Sequence, residues 1–268
     1  MLNKIGLIAG NRKFPLLLAA SAKQNGCQVI AVAIKGDTSA KLQQIADKVY
    51  WLKLSEFEKM FEIFKNEEVE AVVMAGQISP RKLFSKETQN CRQLRQVLDA
   101  LKDKKADTLF GAVASKLEAA GLKLLASTTF IENYLPKKGT LTQQEPDFDT
   151  WEDVYFGLSL AKSVASLDIG QTVAVKSKAI VAVEAFEGTD NLIRRAGKIV
   201  RRGLVIVKVS KPKQDMRFDI PVVGLRTVKR LAGAGCKCLA FEAGKTLFID
   251  QQPSVRLADR HGISIVAV

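Results

Sequence analysis

The chain has 268 residues, of which 47% are hydrophobic and 26% charged, a composition that excludes disordered, collagen-like and coiled-coil proteins. Its 41 basic and 28 acidic residues give a formal net charge of +13, which would attract nucleic acid, anionic membranes or phosphorylated small molecules. No apolar stretch approaches the roughly 20 residues that span a bilayer, and the N-terminus lacks a continuous signal-peptide core. We therefore expect a cytoplasmic protein.

The first 130 residues alternate short apolar strands with helical segments. Strands are predicted at Ile5–Ala9, Val29–Ile34, Val49–Leu54, Ala71–Ala75 and Leu122–Ala126. Helices are predicted at Pro15–Asn25, Lys41–Asp47, Glu56–Asn66, Gln89–Lys104 and Leu109–Ala120. This alternation predicts a doubly wound, Rossmann-like parallel sheet within an α/β fold.

Residues 131–150 are rich in loop-forming residues and predict a linker before a second domain over residues 151–268. That domain begins with a helix over Trp151–Leu167, followed by a hairpin that turns at Ser177 and Lys178. Helices are then predicted at Leu192–Val200 and Thr227–Ala232, and strands at Leu204–Val209, Cys238–Phe241, Thr246–Asp250 and Ile263–Val268. The pattern is that of a mixed α/β domain.

The segment Gly6–Pro15 is the first that suggests binding chemistry. Gly10 ends a strand and Pro15 suits the first turn of a helix, so free backbone N–H groups would point at a bound anion. Gly76 and Gln77 end a second strand, and both turns should open on the same edge of the sheet. Phosphate or nucleotide binding is one interpretation. An ordinary tight turn is the other, since the fingerprint G-x-G-x-x-G is absent.

The segment Val183–Gly197 suggests a second binding region. Thr189 or Asp190 is a suitable N-cap for the helix that follows. The spacing of Asp190 and Arg194 predicts an ion pair one turn apart. The functional alternative is that the helix N-terminus and an arginine grip a phosphate.

The segment Lys208–Gly224 is the most informative, since it places two carboxylates among basic residues. If the chain is extended, Asp215 and Asp219 lie on one side, about 13 Å apart. If it turns, both acids approach one divalent cation, and a hard Mg²⁺ ion would take them with phosphate oxygens and waters. Because Pro221 disfavours helix at Ile220, any bend must come earlier. A polar loop of neutralising charges remains the alternative.

Other residues restrict the chemistry further. The four cysteines show no C-x-x-C spacing, which argues against a zinc ribbon or a thioredoxin-type motif. The single histidine, His261, excludes a three-histidine metal site within one chain. We therefore expect carboxylates, lysines and arginines to carry any chemistry.

Taken together, these segments resemble a bacterial family, the Mg²⁺-dependent UDP-2,3-diacylglucosamine pyrophosphatases of Gram-negative bacteria (the LpxI family). The similarity extends in order along nearly the whole chain. The matching segments are Gly6–Pro15, Met74–Gln77, Leu141–Pro146, Asp168–Gln171, Ala182–Gly197, Lys211–Gly224 and Glu242–Leu247.

The resemblance implies a two-domain enzyme of lipid A biosynthesis. Water would attack the α-phosphorus of UDP-2,3-diacylglucosamine, giving UMP and 2,3-diacylglucosamine 1-phosphate (lipid X). An essential aspartate of the family corresponds to Asp215 or Asp219, and both are candidate catalytic residues and Mg²⁺ ligands. Substrate contacts are predicted at Gly10, Asn11, Phe14, Gly76, Gln77, Glu187, Thr189, Asp190, Arg194, Arg195, Lys211 and Arg217.

The expected partners are a lipid-linked UDP-sugar and the anionic inner face of the inner membrane, to which the protein would bind peripherally. Nucleic acid is not expected as a partner, and a homodimer is possible. The alternative function is a non-catalytic nucleotide-sugar-binding or nucleic-acid-binding protein, which the net charge of +13 would suit. A dinucleotide oxidoreductase is a weaker option.

Overall fold

The chain forms two compact units in the computed structural model, which describes residues 2–78 and 106–268. Unit 1 comprises Met1–Glu132 and Asp215–Asp219, and unit 2 comprises Asn133–Gln214 and Ile220–Val268. The chain therefore passes between the units three times, after residues 132, 214 and 219. The predicted helix over Gln89–Lys104 lies outside the described residues.

Unit 1 contains a five-stranded parallel sheet, as the alternating sequence predicts. Its strand order is β3-β2-β1-β4-β5, which is the order of a Rossmann half-sheet extended by two strands on one side. The strands are β1 (Lys4–Ala9), β2 (Gln28–Ile34), β3 (Lys48–Leu52), β4 (Ala71–Ala75) and β5 (Lys123–Leu124). The apolar runs of β1, β2 and β4 are buried because helices cover both faces of such a sheet.

The helices described in unit 1 are α1 (Phe14–Gln24), α2 (Lys59–Asn66) and α3 (Ala106–Ala119). Pro15 lies in the first turn of α1, as expected for a residue without a backbone N–H. Two predicted helices are shorter than the sequence suggests. Ala40–Gln44 is a single 3₁₀ segment, and α2 begins only at Lys59, after a separate 3₁₀ turn at Leu54–Glu56.

Five residues from the second half of the sequence belong to unit 1. Phe218 packs against the apolar cluster that contains Phe64 and Leu117. Hydrogen bonds from Ser127 reach the same segment. The composition of residues 131–150 suggests a single break between the units. These tertiary contacts explain why the structure instead places Asp215–Asp219 in unit 1.

Unit 2 contains a mixed six-stranded sheet in the order β6-β13-β11-β9-β7-β8, which confirms the predicted mixed α/β fold. Strands β9, β11 and β13 are parallel, whereas β6, β7 and β8 join by antiparallel pairing. The strands are β6 (Gly139–Thr140), β7 (Thr172–Lys176), β8 (Ala179–Val183), β9 (Leu204–Lys208), β11 (Cys236–Phe241) and β13 (Ser264–Ala267). A separate parallel pair is formed by β10 (Val222–Gly224) and β12 (Leu247–Ile249).

Four helices are described in unit 2: α4 (Phe148–Ser166), α5 (Thr189–Ile199), α6 (Leu225–Gly233) and α7 (Gln251–Arg260). The β7–β8 hairpin turns at Ser177 and Lys178, as predicted, and both residues have positive φ angles of 49° and 56°. The buried carboxylate of Asp153 on α4 accepts both backbone N–H groups of this turn, at 3.0 and 2.6 Å. Across the described parts of both units, we find no helix long and apolar enough to cross a membrane.

Candidate functional site

The first candidate site lies at the carboxyl edge of the sheet of unit 1, between β1 and β4. The strand order reverses direction at this pair, and such switch points are where open α/β sheets bind ligands. Gly10 and Asn11 follow β1, and Gly76 and Gln77 follow β4. The structure brings these four predicted residues together, because the Asn11 N–H donates to the Gln77 carbonyl at 2.7 Å.

Both glycines are required for this close approach of two turns. A Cβ atom on Gly76 would lie 2.6 Å from the Asn11 carbonyl oxygen, and Gly76 also has a φ of +89°. A Cβ atom on Gly10 would lie 2.5 Å from the Gln77 carbonyl oxygen. The sequence signal of a glycine after each strand therefore marks backbone packing as well as an exposed turn.

A small cavity of about 30 Å³ opens beside these turns. Its lining is mostly apolar and includes Ile8, Met74 and Phe218. This volume holds about one or two waters. Of the other predicted residues nearby, Asn11 donates its side-chain amide to Asp37 at 3.3 Å, and Phe14 is buried in the core at the start of α1.

The segment Asp215–Asp219 also belongs to unit 1 and forms a turn, so the extended alternative is wrong. The N–H of Asp219 donates to the Asp215 carbonyl at 3.0 Å, so the chain bends before Pro221. Both oxygens of the Asp215 carboxylate accept from the Arg217 guanidinium, at distances between 2.8 and 3.2 Å. These bonds from Arg217 lower the pKa of the Asp215 carboxyl, against the opposing effect of burial.

Ser127 anchors this turn, and sequence reasoning missed it. Its N–H donates to the Met216 carbonyl at 2.8 Å. Its buried hydroxyl lies 2.6 Å from the carbonyl of Met74 in β4 and 2.7 Å from that of Arg217. A signal was available, since Ser127 is the first polar residue after the predicted strand Leu122–Ala126.

The second candidate site lies at one edge of the sheet of unit 2, where β8, β9 and β11 end and β7 begins. Glu242, directly after β11, accepts from the N–H and hydroxyl of Ser210, at 2.5 and 2.6 Å, from Lys162 at 2.6 Å and from Lys245 at 3.4 Å. Burial would raise the pKa of the Glu242 carboxyl, but the bonds from Lys162 and Ser210 hold it below its usual value. Beside it, Lys211 pairs with Asp168 at 2.6 Å.

Helix α5 begins differently from the prediction. Gly188 occupies the N-cap position, with no side-chain cap, so the N-cap prediction for Thr189 or Asp190 is wrong. The reason is that the Thr189 hydroxyl is used in a tertiary contact: it donates to Glu184 at 3.0 Å and accepts from Lys208 at 2.7 Å.

The predicted ion pair between Asp190 and Arg194 is also wrong. Asp190 lies 2.6 Å from Arg226 of α6, since its carboxylate faces that helix and is mostly buried. Arg194 instead donates to Asn191 at 2.8 Å. Arg195 pairs with Glu187, and the hydrogen bond to that carboxylate raises the pKa of the guanidinium.

Nowhere in residues 2–78 and 106–268 do three or more His, Cys, Asp or Glu side chains gather as a ready-made metal cluster. Mg²⁺, by contrast, is commonly bound by one or two protein carboxylates together with waters and substrate phosphates. The two acids of the Asp215–Asp219 turn match that smaller donor set in number and kind.

These features define an α/β protein with a switch-point site on one unit and a buried polar edge on the other. The family model described as the LpxI N-terminal domain matches residues 4–134, and that of the LpxI C-terminal domain matches residues 137–266. The chain belongs to the LpxI family.

A curated relative supports this membership. The UDP-2,3-diacylglucosamine pyrophosphatase LpxI of Caulobacter vibrioides is 30% identical over 280 aligned positions, which cover 100% of this chain and 98% of the relative. Two solved structures overlap it loosely. A UDP-glucose-4-epimerase from Stenotrophomonas maltophila is 12% identical over 44% of this chain and 34% of its own, with a TM-score of 0.29. A pyruvate carboxylase from Rhizobium etli is 12% identical over 69% and 17%, with a TM-score of 0.30.

Proposed function

We propose that this chain hydrolyses the pyrophosphate bond of UDP-2,3-diacylglucosamine, a step of lipid A biosynthesis. The observation that carries the proposal is the match of both family domains, in order, over nearly the whole chain. The full-length similarity to a relative named for this activity adds support. The products are UMP and 2,3-diacylglucosamine 1-phosphate.

The reaction adds one water molecule across a phosphoanhydride. The water oxygen forms a bond to the α-phosphorus of the UDP group, and the bond from that phosphorus to the bridging oxygen breaks. The bridging oxygen leaves with the sugar phosphate, and the proton lost by water passes to a base or to solvent. Catalysis therefore needs charge neutralisation on the pyrophosphate and activation of water.

Asp215 and Asp219 are the proposed catalytic carboxylates, and they are the residues that would hold Mg²⁺. They fit this ion because both are hard oxygen donors on one turn, and because Asp215, whose pKa is lowered by Arg217, is ionised at neutral pH. When bound, the metal would neutralise phosphate charge and lower the pKa of a coordinated water.

Arg217 is a predicted substrate contact, but its guanidinium already forms hydrogen bonds within the protein. Its guanidinium donates to Asp215 and, at 2.6 Å, to Glu118 of α3. Arg217 therefore orients the Asp215 carboxylate and ties the turn to α3. Stabilisation of phosphoryl charge by this arginine would be additional to that structural role.

The other proposed substrate contacts fall into two groups. In unit 1, Gly10, Asn11, Gly76 and Gln77 supply backbone and amide groups for the nucleotide. In unit 2, the proposed contacts with the phosphates and the sugar are basic and polar residues, several of which already bond within the unit, as the Thr189 hydroxyl does to Glu184 and Lys208. The proposed contacts of unit 2 are Glu187, Thr189, Asp190, Arg194, Arg195 and Lys211.

The proposed location is the inner face of the inner membrane, where the lipid substrate resides. The net charge of +13 supports attraction to an anionic leaflet. Binding to vesicles that contain anionic lipid, and loss of that binding at high salt, is the expected behaviour.

The direct test measures UMP release from UDP-2,3-diacylglucosamine by the purified chain, with Mg²⁺ and then with EDTA. Metal-dependent formation of both UMP and 2,3-diacylglucosamine 1-phosphate is the expected result. Folded protein that releases no UMP under either condition would contradict the proposal and leave a non-catalytic nucleotide-sugar-binding role.

A further inference from the structure

Glu184 is a buried carboxylate with an unused hydrogen-bonding oxygen. The residue is only 8% exposed and lies directly after β8. Its Oε1 atom accepts from the Thr189 hydroxyl at 3.0 Å. Its buried Oε2 atom has no hydrogen-bond partner among the described residues. A buried carboxyl oxygen without a hydrogen-bond partner is costly, so this atom is an incomplete contact.

Lys208 is buried beside it and is also 8% exposed. Its ammonium donates to the Thr189 hydroxyl at 2.7 Å. The single proton of that hydroxyl is given to Glu184, so Thr172, whose hydroxyl lies 3.3 Å away, must donate to Thr189 rather than accept from it. Thr189 is thereby saturated, and it holds the two charged groups in fixed positions.

The position of this group suits a ligand. Lys208 ends β9 and Glu184 follows β8, so both lie at the edge of the sheet where the parallel strands end. Thr189 opens the eleven-residue helix α5, whose first N–H groups have no acceptor within the helix. Donors and one acceptor therefore lie together at this helix N-terminus.

The chemistry of these groups selects the kind of ligand. A phosphate against Glu184 would place two negative groups in contact. A neutral group that both donates and accepts, such as a hydroxyl or an amide, would satisfy Glu184 Oε2 and could also accept from Lys208 or from the helix N-terminus. The Glu184 group therefore suits a neutral part of a ligand rather than a phosphate.

We infer that Glu184, held by Thr189 and Lys208, is a specificity-determining residue that accepts an O–H or N–H from a neutral part of the substrate. The inference rests on the proposed function, since a UDP-sugar carries such groups at both ends. They occur on the uridine, as ribose hydroxyls and the uracil N–H, and on the acylated sugar, as hydroxyls and the amide N–H.

The test is the affinity of UMP and, separately, of 2,3-diacylglucosamine 1-phosphate in detergent micelles for wild type and Glu184→Gln. Glutamine keeps the shape but can place an NH₂ donor where Oε2 accepts. We expect the affinity for one of the two ligands to fall about tenfold or more, with the other unchanged. Loss for UMP alone assigns the uridine, and loss for the sugar phosphate alone assigns the sugar. Glu152→Gln, an exposed carboxylate of α4, is the matched control.

Equal affinities in wild type and Glu184→Gln, or an equal loss for both ligands, would overturn the inference. If Glu184→Gln does not fold, Thr189→Val, which removes the shared hydroxyl at nearly constant volume, is expected to give the same selective loss. Turnover by the wild type is measured alongside. If the wild type shows no turnover, the proposed function is rejected. If the wild type turns over the substrate but neither variant loses affinity for only one ligand, only the role of Glu184 is rejected.

Discussion

The candidate sites at the edges of the two sheets are built from different groups, backbone in unit 1 and side chains in unit 2. In unit 1, the switch point is formed mainly by backbone, with Gly10 and Gly76 allowing two turns to meet. In unit 2, the edge is formed by side chains, where Glu242 accepts from Ser210 and Lys162. The first arrangement depends on the absence of a methyl group and the second on charge. We therefore expect the edge of unit 1 to be sensitive to added side-chain volume and the edge of unit 2 to be sensitive to loss of charge.

The largest effect is expected on kcat, from substitutions in the Asp215–Asp219 turn, which belongs to unit 1 although it lies in the second half of the sequence. Asp215→Asn and Asp219→Asn should each lower kcat for UMP release by about 10²-fold or more, because each removes one of the two proposed catalytic carboxylates. Asp149→Asn, an exposed acid of α4, is the control and should keep wild-type activity. Full activity in both turn variants would contradict the site assignment.

Added volume should damage the edge of unit 1. Gly76→Ala meets both a positive φ and a carbonyl at 2.6 Å, so we expect a loss of about 2–4 kcal/mol in the free energy of unfolding. Gly26→Ala has a similar φ of +79° with no atom within 4 Å, and it should lose only about 1 kcal/mol. Urea denaturation measures both. Equal losses would show that the close approach of the turns carries no strain.

Loss of charge should damage the edge of unit 2. Glu242→Gln leaves the Lys162 ammonium without its anionic partner, so we expect a loss of about 1–3 kcal/mol in unfolding free energy. The exposed Glu152→Gln should change stability by less than about 0.5 kcal/mol. If the two variants are equally stable, the contacts of Glu242 are not stabilising.

A smaller effect on stability is expected at Ser127. Ser127→Ala removes the hydroxyl beside the carbonyls of Met74 and Arg217 and should cost about 1 kcal/mol. Because that hydroxyl positions the turn that carries Asp215, kcat should fall while the KM for substrate changes little. Ser115→Ala, at an exposed serine of α3, serves as the control. An unchanged kcat would show that the turn is held by its other contacts.

The smallest effect is a difference in pH dependence between the two edges. The pKa of Glu242 is lowered on folding, so its stabilisation is present above its unfolded value, about 4.3, and is lost as the pH falls through the lower folded value. The stability gap between wild type and Glu242→Gln should thus shrink below about pH 4. The difference in unfolding free energy between wild type and Gly76→Ala should not change with pH, because that substitution alters no titratable group. Unfolding free energies measured from pH 7 to pH 3 distinguish the two.

The sequence predicts the five strands of unit 1 and their parallel pairing well, because a strand buried on both faces must be almost wholly apolar. It also predicts the meeting of Gly10 with Gly76, since both follow such strands. It does not predict the bonds of Thr189. A threonine before a helix is a normal cap, and only the pairing of β7 with β8 and β9 brings Glu184 and Lys208 within reach.

The Asp215–Asp219 turn shows the same limit. Pro221 restricts only the residue before it, so the local sequence leaves both an extended and a turned chain open. Ser127 and the apolar cluster around Phe64 decide between them, and both lie far away in the sequence. The local sequence therefore marks the two aspartates as candidates, whereas distant contacts set the geometry of the turn that carries them.

The assignment of the Asp215–Asp219 turn to unit 1 has a consequence for any attempt to divide the coding sequence of this protein. A fragment cut between the two family domains, near residue 135, would carry the five strands of unit 1 but not residues 215–219. It would lack Phe218 against its apolar cluster and both proposed catalytic aspartates. The first half of the coding sequence therefore does not encode all of unit 1, because five of its residues come from the second half.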